Sequence, residues 1–129
     1  MAFASLPLLA IGLLVYNALA FTTSGDFLTR PIVTMQLPSG DPWAVNAAML
    51  CEVVALGLLF VELIRATASS RAAIINHALS IAVFVIGLIE FLLVRGFGNS
   101  TFFILLVMLL LDVVAGFTIT IVAARRDLG

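Results

Sequence analysis

Lysine is absent from this chain, and its cationic side chains amount to six arginines scattered along it. There is accordingly no basic patch to receive a nucleic acid, and the net charge of −1 points the same way. The single cysteine, Cys51, excludes a disulfide framework or a thiolate metal site within one chain. One histidine, His77, likewise excludes zinc-finger and HExxH arrangements, so neither metal nor cofactor is expected. No nucleophile–His–acid set and no phosphate-cradling glycine loop occurs, and the polar stretches are too short for a substrate pocket. A catalytic site is therefore not expected. Charged residues make up only 10% of the chain, against 64% hydrophobic ones and a mean hydropathy of +1.29. A soluble domain of this size could not cover so much apolar surface, which leaves lipid as the solvent.

What the chain does contain is long apolar runs. The most apolar, residues 101–124, is long enough to cross a hydrocarbon core of ~30 Å as a helix. Asp112 lies near its middle. A central Asp costs roughly 3 kcal/mol on insertion scales, whereas each Leu, Ile, Phe or Val returns about 0.3–0.6. Fifteen such residues more than offset it, so the acid is carried to mid-membrane. Three further runs, 3–21, 44–64 and 72–94, predict an all-α polytopic membrane protein: a single domain of four transmembrane helices in an up-down bundle with short loops. A signal peptide is the rival reading of 3–21, but no positive residue precedes the apolar run.

The longest polar connection, 22–43, is punctuated by Pro31, Pro38, Pro42, Gly25 and Gly40 and does not favour a helix. Within it Ile32 to Leu37 partly alternate and end at a Pro-Ser-Gly-Asp turn, predicting an extended piece or small hairpin, with Trp43 anchoring the next helix. Arg65 and Arg71 fall in the second helix–helix loop and Arg125 and Arg126 follow the last run. The positive-inside rule then puts both termini in the cytoplasm and 22–43 outside. Asn99-Ser100-Thr101 matches a glycosylation sequon on the outer side but lies against a helix end.

The polar residues inside the apolar runs fall into three sets. Asn17, Glu52, Glu90 and Asp112 form a ladder if their faces turn inward: Glu90 shallow with Asn17 beside it, Glu52 deeper, Asp112 deepest. Such acids are candidates for a proton or cation path, or for hydrogen bonds that hold helices in register. Glu62, Arg65, Arg71 and His77 gather at the inner interface, where Glu62 and Arg65 are neighbours three residues apart. Ala44, Ala48, Cys51 and Ala55 line one seam of the second helix, and Gly116 shares a face with Asp112. Small residues there allow a second helix to approach closely.

The segments Phe60-Val61-Glu62-Leu63-Ile64-Arg65-Ala66-Thr67, Asn76-His77-Ala78-Leu79-Ser80, Ile89-Glu90-Phe91-Leu92 and Leu111-Asp112-Val113-Val114-Ala115-Gly116-Phe117, with the closing Ala124-Arg125-Arg126-Asp127, resemble a set of small four-helix inner-membrane proteins of alphaproteobacteria. The resemblance covers the second to fourth helices; it implies a bacterial inner membrane and no particular chemistry. The expected role is helix–helix association in the bilayer, as a homo-oligomer or as the accessory subunit of a membrane-protein partner. An oligomeric proton or cation channel is the alternative.

Overall fold

The computed structural model describes residues 6–23, 26–66 and 71–128, apart from the side chains of 71–73, 123 and 126–128. In chain order it contains α1 (Leu9–Thr22), β1 (Pro31–Gln36), β2 (Pro42–Asn46), α2 (Ala47–Arg65), α3 (Arg71–Leu93) and α4 (Ser100–Leu128). Three helical stretches, Ala47–Arg65, Ile74–Leu93 and Ser100–Val122, are long and apolar enough to cross a membrane. With 14 residues, α1 spans only ~21 Å.

Helix α4 lies between α2 and α3 and packs against both, while α1 packs on α2 and, over a shorter stretch, on α3. The burial figures agree: 44% of the apolar window of α4 is inside the molecule, against 17% for α2 and 11% for α3. Its buried positions, Thr101, Phe102, Leu105, Leu106, Met108, Leu109, Asp112 and Val113, advance in steps of three and four and so trace one face. Lipid tails are as apolar as leucine, so close packing holds this face to its neighbours rather than escape from water. Gly87 on α3 contributes such a fit, since a Cβ there would lie 3.2 Å from Leu109 and 3.4 Å from Leu106. At one end Tyr16 packs against Phe102, Phe97 and Phe27 at ring-centroid distances of 5.0, 5.4 and 6.0 Å, closing the bundle with aromatic rings.

Several boundaries differ from those expected. The first helix begins at Leu9, not at residue 3, because Pro7 has no N–H to give and biases Leu6 away from helical dihedrals; residues 3–5 lie outside the described residues. The expected extended piece is a two-stranded antiparallel hairpin whose turn needs Gly40 at φ 98°. Its second strand runs through Trp43 and Ala44, which pair with Met35 and Thr34. Ala44 therefore belongs to the hairpin and not to a helix seam, and Trp43 sits one strand away from α2. The helix starts only at Ala47 because Asn46 caps it, accepting 3.0 Å from Met49 N–H. Nor do Arg125 and Arg126 stop α4, which continues to Leu128. Charges end an apolar span, whereas ending a helix takes a backbone reason.

Candidate functional site

Among the described residues Glu62 at 1% exposure, Ser80 at 3%, Asp112 at 4% and Thr101 at 9% are buried polar side chains, beside the Tyr16 hydroxyl in the aromatic cluster. The first three meet. Glu62 lies fifteen residues into α2 from its hairpin end, Asp112 twelve into α4, and Ser80 thirteen into α3. At ~1.5 Å per residue these are depths of about 22, 18 and 20 Å. Asp112 is hydrogen-bonded to Ser80 and close enough to Glu62 for the two carboxyls to interact electrostatically. Three helices thus place two acids and a hydroxyl at one level.

The backbone of α1 joins the same cluster. Leu8 occupies the cap position and offers no side-chain cap. Its N–H instead donates to Glu62 Oε2 at 2.9 Å. A carboxylate at a helix N-terminus satisfies an otherwise orphaned donor and opposes the positive end of the helix dipole, worth up to ~2 kcal/mol when partly buried. Arg65 Nη1 stands 3.6 Å from the same oxygen and donates to Leu6 O at 3.4 Å. With its side chain 30% exposed, Arg65 links the buried Glu62 to the surface.

Hydrogen-bond supply then runs short. The Ser80 hydroxyl donates its one proton to Asn76 O at 3.0 Å. That proton could serve the Asp112 carboxyl instead, but not both acceptors at once. Glu62 Oε1, Asp112 Oδ2, Asn76 Nδ2 and His77 Nε2 are buried with no hydrogen-bond partner. The imidazole of His77 turns toward α4, where it packs edge-on against Phe117 at 4.5 Å and fills the notch left by Gly116.

The expected ladder is distributed over separate places. Asn17 and Glu90 do meet, Asn17 Nδ2 donating to Glu90 Oε1 at 3.1 Å and to Leu13 O at 2.9 Å. Asp112 is joined to neither. On α3 the stretch 81–89 between Ser80 and Glu90 contains no polar side chain, a gap of ~15 Å. Glu52 instead borders an apolar cavity between α1, α2 and α4. The inner set divides as well: Glu62 and Arg65 stay together, His77 packs on α4, and the Arg71 side chain lies outside the described residues. Of the seam, Ala55 is buried and Ala48 packs against the core within the chain. Cys51 is half-buried on the cavity wall.

Asn99 has a role that its sequon disguised. Its Oδ1 accepts from Phe102 N–H at 2.9 Å, capping α4, while its Nδ2 donates to Tyr16 OH at 2.7 Å. An Asn three residues before a long apolar run is the signal that could have found this cap. Among the described residues no group of three or more His, Cys, Asp or Glu could hold a metal ion. No family model, curated protein or solved structure matches the chain; the resemblance to alphaproteobacterial inner-membrane proteins rests on its quoted segments alone.

Proposed function

We propose that the protein is a non-catalytic, polytopic protein of a bacterial inner membrane, and that its working centre is the Glu62–Asp112 pair, which binds and releases a proton within the bilayer. The observation that carries this reading is the burial of two carboxyls beside a single guanidinium among the described residues. Arg65 and the N-terminus of α1 both face Glu62, which is the carboxylate of the pair. A second buried anion would have no counter-charge among the described residues, and isolated charges at that depth are costly. A proton on Asp112 neutralises it. A purely structural pair would be expected to leave no acid oxygen unpartnered, yet Glu62 Oε1 and Asp112 Oδ2 both are.

Proton exchange takes place on the Arg65 side, where Glu62 reaches the surface through its ion pair. The apolar stretch 81–89 argues against a wire running on to Glu90, so the centre is loaded and unloaded from one face. By the positive-inside rule that face is cytoplasmic: Arg65, Arg125 and Arg126 follow the apolar spans of α2 and α4, against Arg95 and Arg30 on the other side, where Arg30 is offset by Asp26 at 2.6 Å. The Asp26 carboxylate holds the Arg30 guanidinium above its ordinary value. In this arrangement four helices cross up and down, α1 entering at the level of Glu62 because its first donor is satisfied there.

Infrared difference spectroscopy in lipid, stepping pH on the cytoplasmic side, tests the centre. A carbonyl band of a protonated, solvent-shielded carboxyl should appear and vanish with pH and be missing from Asp112→Asn. A spectrum without that band, or a band indifferent to the substitution, sinks the proposal. Association with a second membrane protein remains the second reading, favoured by Gly57 on α2, where a Cβ would meet nothing within 4 Å and another helix could lie close.

A further inference from the structure

Every residue of β1 is exposed, so that strand stands clear of the helices. Alternation sorts the side chains of the hairpin onto two faces. Val33, Met35 and Leu37 share one face with Trp43 and Val45 of β2, while Thr34 and Gln36 share the other with Ala44 and Pro42. The first face is apolar, and all of it except Val45 is exposed. A two-stranded hairpin is marginal alone; independent stability takes further strands or a helix against its apolar face.

The two edges of the hairpin differ. Leu37 N–H donates to Asp41 O at 2.9 Å, which fixes the hydrogen-bonded pairs of this register as Leu37–Asp41, Met35–Trp43 and Val33–Val45. The backbone N–H and C=O of Thr34 and Gln36 therefore point away from β2, and no hydrogen bond among the described residues takes them up. On the far edge of β2 the corresponding positions are Ala44 and Pro42, and Pro42 has no N–H to offer. That edge is blunted. From 33 to 37 the edge of β1 carries none of the usual protections against pairing: no charge, no proline and no bulge, the one irregularity lying at its base between Pro31 and Val33. A row of outward donors and acceptors names its occupant, which is another strand. The described residues hold no third strand, whereas a second copy of the chain brings an edge of matching length. Laid antiparallel about Met35, two β1 strands set Thr34 of each against Gln36 of the other, and all four outward groups of each edge are paired. Val33 then meets Leu37 across the seam and Met35 meets Met35, so the two apolar faces become one.

We propose that the chain forms a twofold dimer through the free edge of β1, joining two hairpins into one four-stranded sheet at the membrane surface. Symmetry supports the arrangement. Copies inserted the same way are related by a twofold along the membrane normal, and the twofold of an antiparallel strand pair stands perpendicular to its sheet. The joined sheet therefore lies parallel to the bilayer, its apolar face with Trp43 toward lipid and Thr34 and Gln36 toward water. The pairing is independent of the Glu62–Asp112 centre, and Asp112→Asn should leave it unchanged. Dimerisation is read by fluorescence energy transfer between labelled copies in liposomes, over a series of lipid dilutions. Thr34→Pro removes two hydrogen bonds across the axis and should weaken the dimer about tenfold or more. Ala44→Pro makes the same change on the blunted edge and should have no effect. A second measurement needs no proline: in a Cys51→Ala background, oxidation should link Met35→Cys to its copy, with Cα atoms about 4.5 Å apart. Trp43→Cys, on the same face but roughly 15 Å from its copy, lies beyond disulfide reach. Folded wild-type protein that stays monomeric at every dilution would overturn the proposal. So would a dimer indifferent to Thr34→Pro, which would place the contact on the helices, or Trp43→Cys cross-linking as readily as Met35→Cys.

Discussion

Gly116→Ala offers a direct measure of how tightly α3 and α4 are fitted at the candidate site. A Cβ built at Gly116 would run into the His77 imidazole, lying 2.7 Å from Cε1 and 3.2 Å from Cγ and closer still to Nδ1. Real Cβ atoms do not approach so near, so the ring must move. Phe117 packs against it at 4.5 Å, and His77 Nε2 is buried. Overpacking of this kind costs about 1–3 kcal/mol. Replacing a helical Gly by Ala returns roughly 1 kcal/mol, so the net effect of Gly116→Ala alone is about 0–2 kcal/mol of destabilisation. Gly57→Ala removes the propensity term from the comparison, because nothing lies within 4 Å of a Cβ there. It should stabilise by roughly 1 kcal/mol, which leaves the two variants about 1–3 kcal/mol apart. Reversible unfolding in mixed micelles, with both variants repeated in a His77→Ala background, would read that gap. In that background Gly116→Ala should behave like Gly57→Ala. Equal effects of the two substitutions in the wild-type background, or a coupling to His77 below about 0.5 kcal/mol, would refute the fit.

Glu62→Gln keeps the shape of the side chain that caps α1 but removes its charge, and should cost about 1–2 kcal/mol in the same unfolding assay; a neutral outcome would show that Leu8 N–H needs no anion. Asn99→Ala strips the cap from α4 and the donor from Tyr16 together. A loss of roughly 1–2 kcal/mol is expected, with Asn99→Asp retaining most of the cap, and Ala and Asp behaving alike would count against capping. Topology is checked by labelling single cysteines in a Cys51→Ala background: Ser39→Cys should react from outside and Ala66→Cys only from the cytoplasm. Both reacting from the same side would break the up-down arrangement.

The apolar runs made the helices legible, and the Pro-Ser-Gly-Asp turn made the hairpin legible, because both signals are local. Boundaries went astray where one residue's backbone chemistry decided them: Pro7 delaying α1, and Asn46 holding the start of α2 back to Ala47. The site was harder for a different reason. Periodicity tells which residues share a face of one helix, but not which helix that face meets. Consecutive helices α2 and α3 read as a hairpin, so His77 seemed to belong with Glu62 and Arg65. With α4 between them, His77 meets Gly116 and Phe117, and Glu62 meets Asp112. Depth alone could have joined that pair. Had Glu62 been counted from the hairpin end, as Asp112 was, both would have fallen within ~5 Å of one level. Setting Glu62 aside as an interfacial charge hid it, since a glutamate one turn from an arginine is normally read as a solvated ion pair. What distinguishes Glu62 is the N-terminus of α1, whose free donor arrives from 54 residues away to hold the carboxylate inside the bundle. Pro7 shortens α1 so that its first donor falls at this level. The helix start that sequence misplaced is therefore also what makes the acid pair.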